Sequence, residues 1–283
     1  NPPRAAPTQT QSRLGWVTTV ISTNATQARK VAGALATVVR SPAAGVATAR
    51  SLVRQVGLAD PARSPLWRQR SFSHRFEVLS LDLEGLHRAA RALGGTVNDA
   101  FVTLMAAAAG DYHRELGAPV EELRMSMPIS VRHDRDAGGN AWVPARGLVP
   151  TGEMDPATRF AEVSARLVRV KREPSLGLAE GFAGVIRHLP RPMLVPLARQ
   201  QVATVDFACS NVRGAPFDLW IAGSHVESNH PMGPTAGVAF NATVLSYKES
   251  LDLGLNTDTG AVTDPELLRR CIAHTAAALV AVA

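Results

Sequence analysis

Two rhythms of apolar and polar residues are interleaved along the chain. Residues 76–83 alternate with period two, Phe76, Val78 and Ser80 on one face and Glu77, Leu79 and Leu81 on the other, which predicts a strand. Residues 83–93 then read as a short helix stopped by Gly94-Gly95. Thr96 is placed to cap the next helix with Asp99 at its third position, an acid at the positive end of the helix dipole. That helix, residues 100–116, is apolar almost all round and is expected to be buried on most sides. Residues 124–131 and 141–150 read as strands around a turn-rich stretch at 133–140, with Pro144 pushing the second toward a sheet edge. Asp155-Pro156 opens a helix that runs through Lys171. Helical stretches follow at 176–189 and 193–202, then an apolar strand at 205–209 that runs into a turn, Ser210-Asn211-Val212-Arg213-Gly214. Strands at 219–222, 237–247 and 251–256 precede an amphipathic closing helix that starts at Pro265. Without short regular βα repeats, the expectation is a mixed α/β layer, a mixed sheet covered by helices, rather than a Rossmann or barrel fold.

Charge divides the chain. Residues 1–80 hold eleven Lys/Arg against two acids, Asp60 and Glu77, whereas residues 81–283 hold nineteen against twenty-two. Residues 14–57 are Ala/Val-rich and helical in pattern, broken at Ser41-Pro42. Arg29 and Arg40 share a stripe opposite Val31, Leu35, Val38 and Val39, and Arg50 and Arg54 share a face opposite Leu52, Val53 and Val56. Two readings stay open for this helix: packed on its own protein with a solvated arginine face, or lying on an anionic lipid surface. Residues 1–64 are therefore taken as a basic helical linker or crossover, and 65–283 as the domain proper.

With 46% hydrophobic and 19% charged residues the chain can bury a core, which excludes wholesale disorder. Aromatics are only 5% and do not interleave with basic residues, so a single-strand nucleic-acid platform is not expected. No apolar run approaches the ~20 residues of a membrane span, and no secretory leader is visible. Together with two cysteines, Cys209 and Cys271, this leads to the expectation of a reduced, cytoplasmic protein. Dinucleotide, phosphate-loop, nucleophile-elbow and zinc motifs do not occur. His133 with Asp134 and Asp136 is better read as a surface turn than as a metal loop, because Gly138 and Gly139 follow. Neither a metal nor a bound cofactor is expected.

Four strings remain: Gly94-Gly95-Thr96-Val97-Asn98-Asp99; Ser210-Asn211-Val212-Arg213-Gly214; Pro231-Met232-Gly233-Pro234; and Phe240-Asn241-Ala242-Thr243-Val244-Leu245-Ser246-Tyr247, ahead of Leu251-Asp252-Leu253-Gly254-Leu255. Singly each is a cap or a turn. In this order and spacing they resemble the C-terminal half of the bacterial wax ester synthase/acyl-CoA:diacylglycerol acyltransferase family, over roughly residues 65–275. Departures fall in turns: Arg213 and Ala215 stand where prolines are usual, and Met232 where leucine is usual.

The resemblance implies one lobe of a two-lobed, chloramphenicol acetyltransferase-like fold of CoA-dependent acyltransferases. It also implies an O-acyltransferase that esterifies diacylglycerol or fatty alcohol, with acyl-CoA as a substrate rather than a cofactor. The family's His-His-x-x-x-Asp-Gly signature belongs to the N-terminal half, and no position of this sequence matches it. The catalytic base is accordingly expected on an N-terminal partner half, and no catalytic residue is assigned to this chain. What the resemblance leaves to this chain is the opposite wall of the channel: Asn98 and Asp99, Ser210 and Asn211, and Gly233 and Pro234, with Arg29, Arg40, Arg50 and Arg54 toward a membrane or lipid-droplet surface. For Asn98, helix capping and stabilisation of an oxyanion remain equally open. The alternative for the whole chain is a non-catalytic lobe of the same fold, serving as scaffold or membrane-surface module.

Overall fold

A computed structural model of the chain describes residues 61–130, 142–172 and 203–282. The basic helix at 14–57, the turn at 133–140 and the helices expected at 176–189 and 193–202 lie outside them, as do Arg29, Arg40, Arg50 and Arg54.

Among the described residues, four helices and a six-stranded sheet form one layer on another. The helices are α1 (Leu83–Ala92), α2 (Val97–Glu115), α3 (Pro156–Lys171) and α4 (Pro265–Val280). The large sheet contains β1 (His74–Asp82), β2 (Glu122–Ser130), β3 (Trp142–Pro150), β4 (Phe207–Arg213), β7 (Phe240–Tyr247) and β8 (Ser250–Asp258), in the order β1-β8-β7-β4-β2-β3. β5 (Trp220–Ile221) and β6 (Ser224–His225) make a separate two-stranded hairpin. β2, β4 and β7 are parallel neighbours, and the outer pairs β2/β3, β7/β8 and β1/β8 are antiparallel. The mixed α/β architecture is the one expected.

Each helix is started by a side chain that satisfies free N–H groups of its first turn. Asp82 accepts from Gly85 N, Asp155 from Thr158 N and Asp264 from Leu267 N. α2 opens with a full capping box: Thr96 Oγ1 accepts from Asp99 N, and Asp99 Oδ2 accepts from Thr96 N. Past the C-cap of α1 at Leu93 the chain turns at Gly94, whose φ of +75° is open to glycine at little cost. α2 is buried along most of its length, including Phe101, Leu104 and Met105, with α4 lying along it. One face of the sheet supplies the other side of this core through Leu123, Met125, Phe207, Cys209, Ala242, Val244, Leu253 and Leu255. Their spacing of two in each strand is what places them together on the helix side.

Buried polar anchors hold the segment before β1 against this core. Asp206, fully buried, accepts from the backbone N–H of Arg63, Ser64 and Arg124. His113 on α2 is also fully buried; its Nδ1–H donates to Ala109 O at 2.7 Å, so Nε2 accepts the Ser64 hydroxyl at 2.8 Å. Burial pulls the His113 pKa down, against its bond to Ala109 and the charge of Asp206. Trp67 fills the space between His113, Phe207 and Phe240.

Two expectations are corrected. Residues 210–213 are not a turn. β4 continues through Arg213 because Ala208 to Arg213 pair in parallel with Asn241 to Ser246, which satisfies the backbone of these polar residues. The strand expected at 219–222 shrinks to the two residues of β5, since Ala222 and Gly223 turn with positive φ into β6.

Candidate functional site at the carboxyl ends of the parallel strands

Because β2, β4 and β7 run in the same direction, their carboxyl ends share one edge of the domain. In open α/β sheets that edge is where ligands are commonly received. α2 begins there. Its capping box fixes the first turn, and the half-buried Asn98 is its second residue. From the end of β4, Asn211 Nδ2 donates to Asn98 Oδ1 at 3.4 Å, although 113 residues separate the two in sequence. The cap is Thr96, so the bond of the Asn98 side chain is this long-range one and not a helix cap. With the bond made, both N–H groups of Asn98 and the second N–H of Asn211 can still donate to a substrate oxygen. Such a donor pair suits the negative charge that develops on oxygen in acyl transfer.

Asp99 is drawn away from that opening. It is 6% exposed, and one carboxylate oxygen takes both the amide N–H and the hydroxyl of Thr96. It fixes where α2 starts and thereby where Asn98 stands.

The other expected site residues lie on the opposite face of the sheet. Ser210 precedes Asn211 in β4 and so points the other way, beside its register partner Thr243. Gly233 and Pro234 belong to a strap, residues 226–235, that crosses this outer face. Asn256 Nδ2 donates to Gly233 O at 3.0 Å and Asn241 Nδ2 to Pro234 O at 2.7 Å. Buried Asp252 accepts from Asn229 N at 2.7 Å, and the Pro231 carbonyl lies so close to Gly254 that a β-carbon there would stand 1.8 Å from it. The Pro-Met-Gly-Pro string is therefore a clamp on the sheet. The structure joins Asn98 with Asn211 and separates both from Ser210, Gly233 and Pro234.

Sequence reasoning passed over the groups that hold this frame. Asp206 and Asp252 are acids inside apolar strand-like runs, and that mismatch is a readable sign of a buried anchor. It passed over the hairpin surface too. Phe217, Trp220, Ile221 and Met232 are 64%, 65%, 69% and 67% exposed. At the hairpin's base, Tyr247 Oη accepts from Leu219 N and donates to Val226 O. Asp218 pairs with Lys248 and with His225 there, and both hold its carboxyl below the usual carboxylate range. Among the described residues, no group of three or more His, Cys, Asp or Glu is arranged to hold a metal, and no single helix is long and apolar enough to cross a membrane.

Comparison with solved structures defines the class. The wax ester synthase/diacylglycerol acyltransferase from Marinobacter aquaeolei VT8 superposes with a TM-score of 0.58 at 21% identity, over 84% of this chain and 57% of that one. A condensation domain of the enacyloxin polyketide synthase gives 0.55 at 12% identity, over 85% and 48%. The fold is one lobe of the two-lobed, chloramphenicol acetyltransferase-like architecture. The sequence carries the assignment further. Residues 1–101 match the wax ester synthase/diacylglycerol acyltransferase catalytic domain, and residues 139–279 match the C-terminal domain of the same family. A Mycobacterium tuberculosis protein of strain H37Rv, named as a diacylglycerol O-acyltransferase, is 32% identical over 226 residues, 79% of this chain and 45% of its own length. A second from that strain, named likewise, is 28% identical over 225 residues, 74% of this chain and 41% of its own length. The chain belongs to the wax ester synthase/diacylglycerol acyltransferase family, and it spans less than half the length of these curated relatives.

Proposed function

We propose that this chain is the C-terminal half of an acyl-CoA-dependent O-acyltransferase that esterifies diacylglycerol or fatty alcohol to triacylglycerol or wax ester. The observation that carries the reading is the Asn98–Asn211 pair at the open carboxyl edge of a lobe of this family. The general base is the histidine of an N-terminal half, which takes the acceptor's hydroxyl proton as its oxygen attacks the thioester carbon. Asn98 and Asn211 face the thioester carbonyl and donate to its oxygen as it becomes an oxyanion; the C–S bond then breaks, and the histidine returns its proton to the departing sulfur, so that CoA leaves as the thiol. Phe217, Trp220 and Ile221 form the surface on which the N-terminal half closes. Residues 1–64 serve as the crossover to that half, and their arginine faces bring the enzyme to a membrane or lipid-droplet surface on the cytoplasmic side.

The test is an assay with long-chain acyl-CoA and diacylglycerol, or with hexadecanol, on the chain alone and with the N-terminal half supplied. Turnover is expected only with both. Turnover by the chain alone would refute the division of labour, and none with both halves present would refute the enzymatic reading.

A further inference from the structure

On the far side of α2, the helices leave a cavity of about 160 Å³. Ala107 on its wall follows Asn98 by nine residues, which at 3.6 residues per turn puts the two on opposite sides of the helix. Leu104, Ala107, Ala278 and Leu279, with Met154 from the loop before α3, give the wall an apolar part, and Asp111, Arg114, Glu153, Arg159 and His274 also line it.

Set into this wall is a buried cation with no direct counter-charge. Arg159 is 3% exposed and donates through Nη1 to Pro150 O at 2.6 Å and through Nη2 to Gly152 O at 2.7 Å. No carboxylate among the described residues comes within 4.0 Å of it. Arg166, two helix turns further on, shows the ordinary arrangement, paired with both Glu122 and Glu162. Buried charges are normally paired, because desolvation is otherwise uncompensated. Burial indeed lowers the pKa of Arg159, Arg114 pushes the same way, and the more distant Asp111, Glu162 and Asp155 only partly offset them. Asp111 is committed to Arg114 and lies 3.9 Å from His274, while Glu153 stands exposed at the rim.

We propose that this cavity binds a small organic carboxylate, its anion received by the remaining N–H groups of Arg159 and its apolar body by Leu104, Ala107 and Ala278. An apolar cavity of about 150 Å³ accommodates benzene, so benzoate or a short aliphatic acid is the right size. Phosphate has no apolar body to lay against Leu104, Ala107 and Ala278, which selects an organic monocarboxylate over it.

The test titrates the full chain with sodium benzoate, benzamide and inorganic phosphate, followed by calorimetry and by thermal shift. Saturable benzoate binding is expected, at least tenfold tighter than benzamide or phosphate. Arg159→Gln reduces benzoate to the level of benzamide. Because Arg159 also ties the loop before α3, a second variant leaves it intact: Ala107→Phe fills the cavity and weakens benzoate at least tenfold with an unchanged circular dichroism spectrum. Equal binding of benzoate and benzamide, full binding by Ala107→Phe, or no saturable binding at all would each overturn the proposal and leave Arg159 as a loop clamp only. No turnover is measured, so the result does not depend on the acyltransferase reading.

Discussion

Asn211 Nδ2 reaches Asn98 Oδ1 from the end of the central strand to the first turn of the most buried helix. The cap of that helix is supplied by Thr96 and Asp99, so the two roles open to Asn98 separate by mutation. Thr96→Ala is expected to cost ~0.5–2 kcal/mol of stability. Asn98→Ala and Asn211→Ala are expected to change stability by less than about 0.5 kcal/mol. In the enzyme reconstituted with its N-terminal half, each lowers turnover by about 10²–10³. The double variant then loses less than the product of the two, since the pair acts as a unit. Denaturant unfolding and initial rates on the natural chain and these four variants settle it; unchanged rates in both Asn98→Ala and Asn211→Ala would remove the pair from the chemistry.

The buried bond between Ser64 and His113 predicts a pH dependence. Burial keeps the His113 pKa below its ordinary value of 6.5. Below pH 6.5 the unfolded chain therefore binds a proton that the folded chain refuses. Stability is full above that pH and falls as the pH drops through it, by up to about 1.4 kcal/mol per pH unit from this one group. Urea midpoints at pH 7.5 and 5.5 are expected to differ more for the natural chain than for His113→Gln. Equal differences would show that His113 carries no such linkage.

Much of this frame was legible in the sequence, and the reasons are local. The Thr96/Asp99 box and the Asp155-Pro156 start were readable because capping needs only neighbours three residues apart. Asn98 and Asn211 were each visible, but only as members of separate strings. What joins them is the meeting of the first turn of α2 with the end of β4, which the parallel pairing of β4 with β7 extends to Arg213, and no local pattern specifies either contact. The same pairing turned the expected loop at 210–213 into strand and sent Ser210 to the face opposite Asn211. A Gly/Pro turn such as that of Gly233 and Pro234 looks alike in sequence whether it faces substrate or straps a sheet. Asn241, Asn256 and Asp252, which bind the strap, are scattered over β7 and β8.

The hairpin supplies a test of the proposed contact with an N-terminal half. Trp220 and Ile221 stand in a strand of two residues whose sheet has only β6 as a partner, too little to bury either side chain. Exposed aromatic anchors of this kind dominate interfaces when they enter a pocket on the partner. Trp220→Asp is expected to weaken association of this chain with the N-terminal half by about 30-fold or more. Val168→Asp, at an exposed apolar site on α3, should leave it unchanged. Calorimetric Kd values for the three proteins decide. Equal affinities for Trp220→Asp and the natural chain would place the interface elsewhere.

The arginines of residues 14–57 carry the remaining proposal, which rests on charge distribution in the sequence. Eleven of the chain's thirty Lys/Arg fall in residues 1–80 with only two acids, and the helical pattern expected from the sequence would set Arg29/Arg40 and Arg50/Arg54 opposite valine- and leucine-rich faces. An enzyme whose acceptor is diacylglycerol or a fatty alcohol must collect it from a lipid phase. Each arginine near an anionic leaflet contributes about 1 kcal/mol, so four give reversible attachment that salt weakens within a Debye length of ~8 Å at physiological ionic strength. A helix packed on protein with merely solvated arginines gives none. Flotation with vesicles containing phosphatidylserine compares the natural chain with one carrying Gln at Arg29, Arg40, Arg50 and Arg54. The natural chain is expected to float at low salt and to be released at 0.5 M salt (a Debye length of only a few ångströms), and the variant to remain at the bottom throughout. Flotation of both alike, or of neither, would leave these residues only the role of a crossover between the two halves.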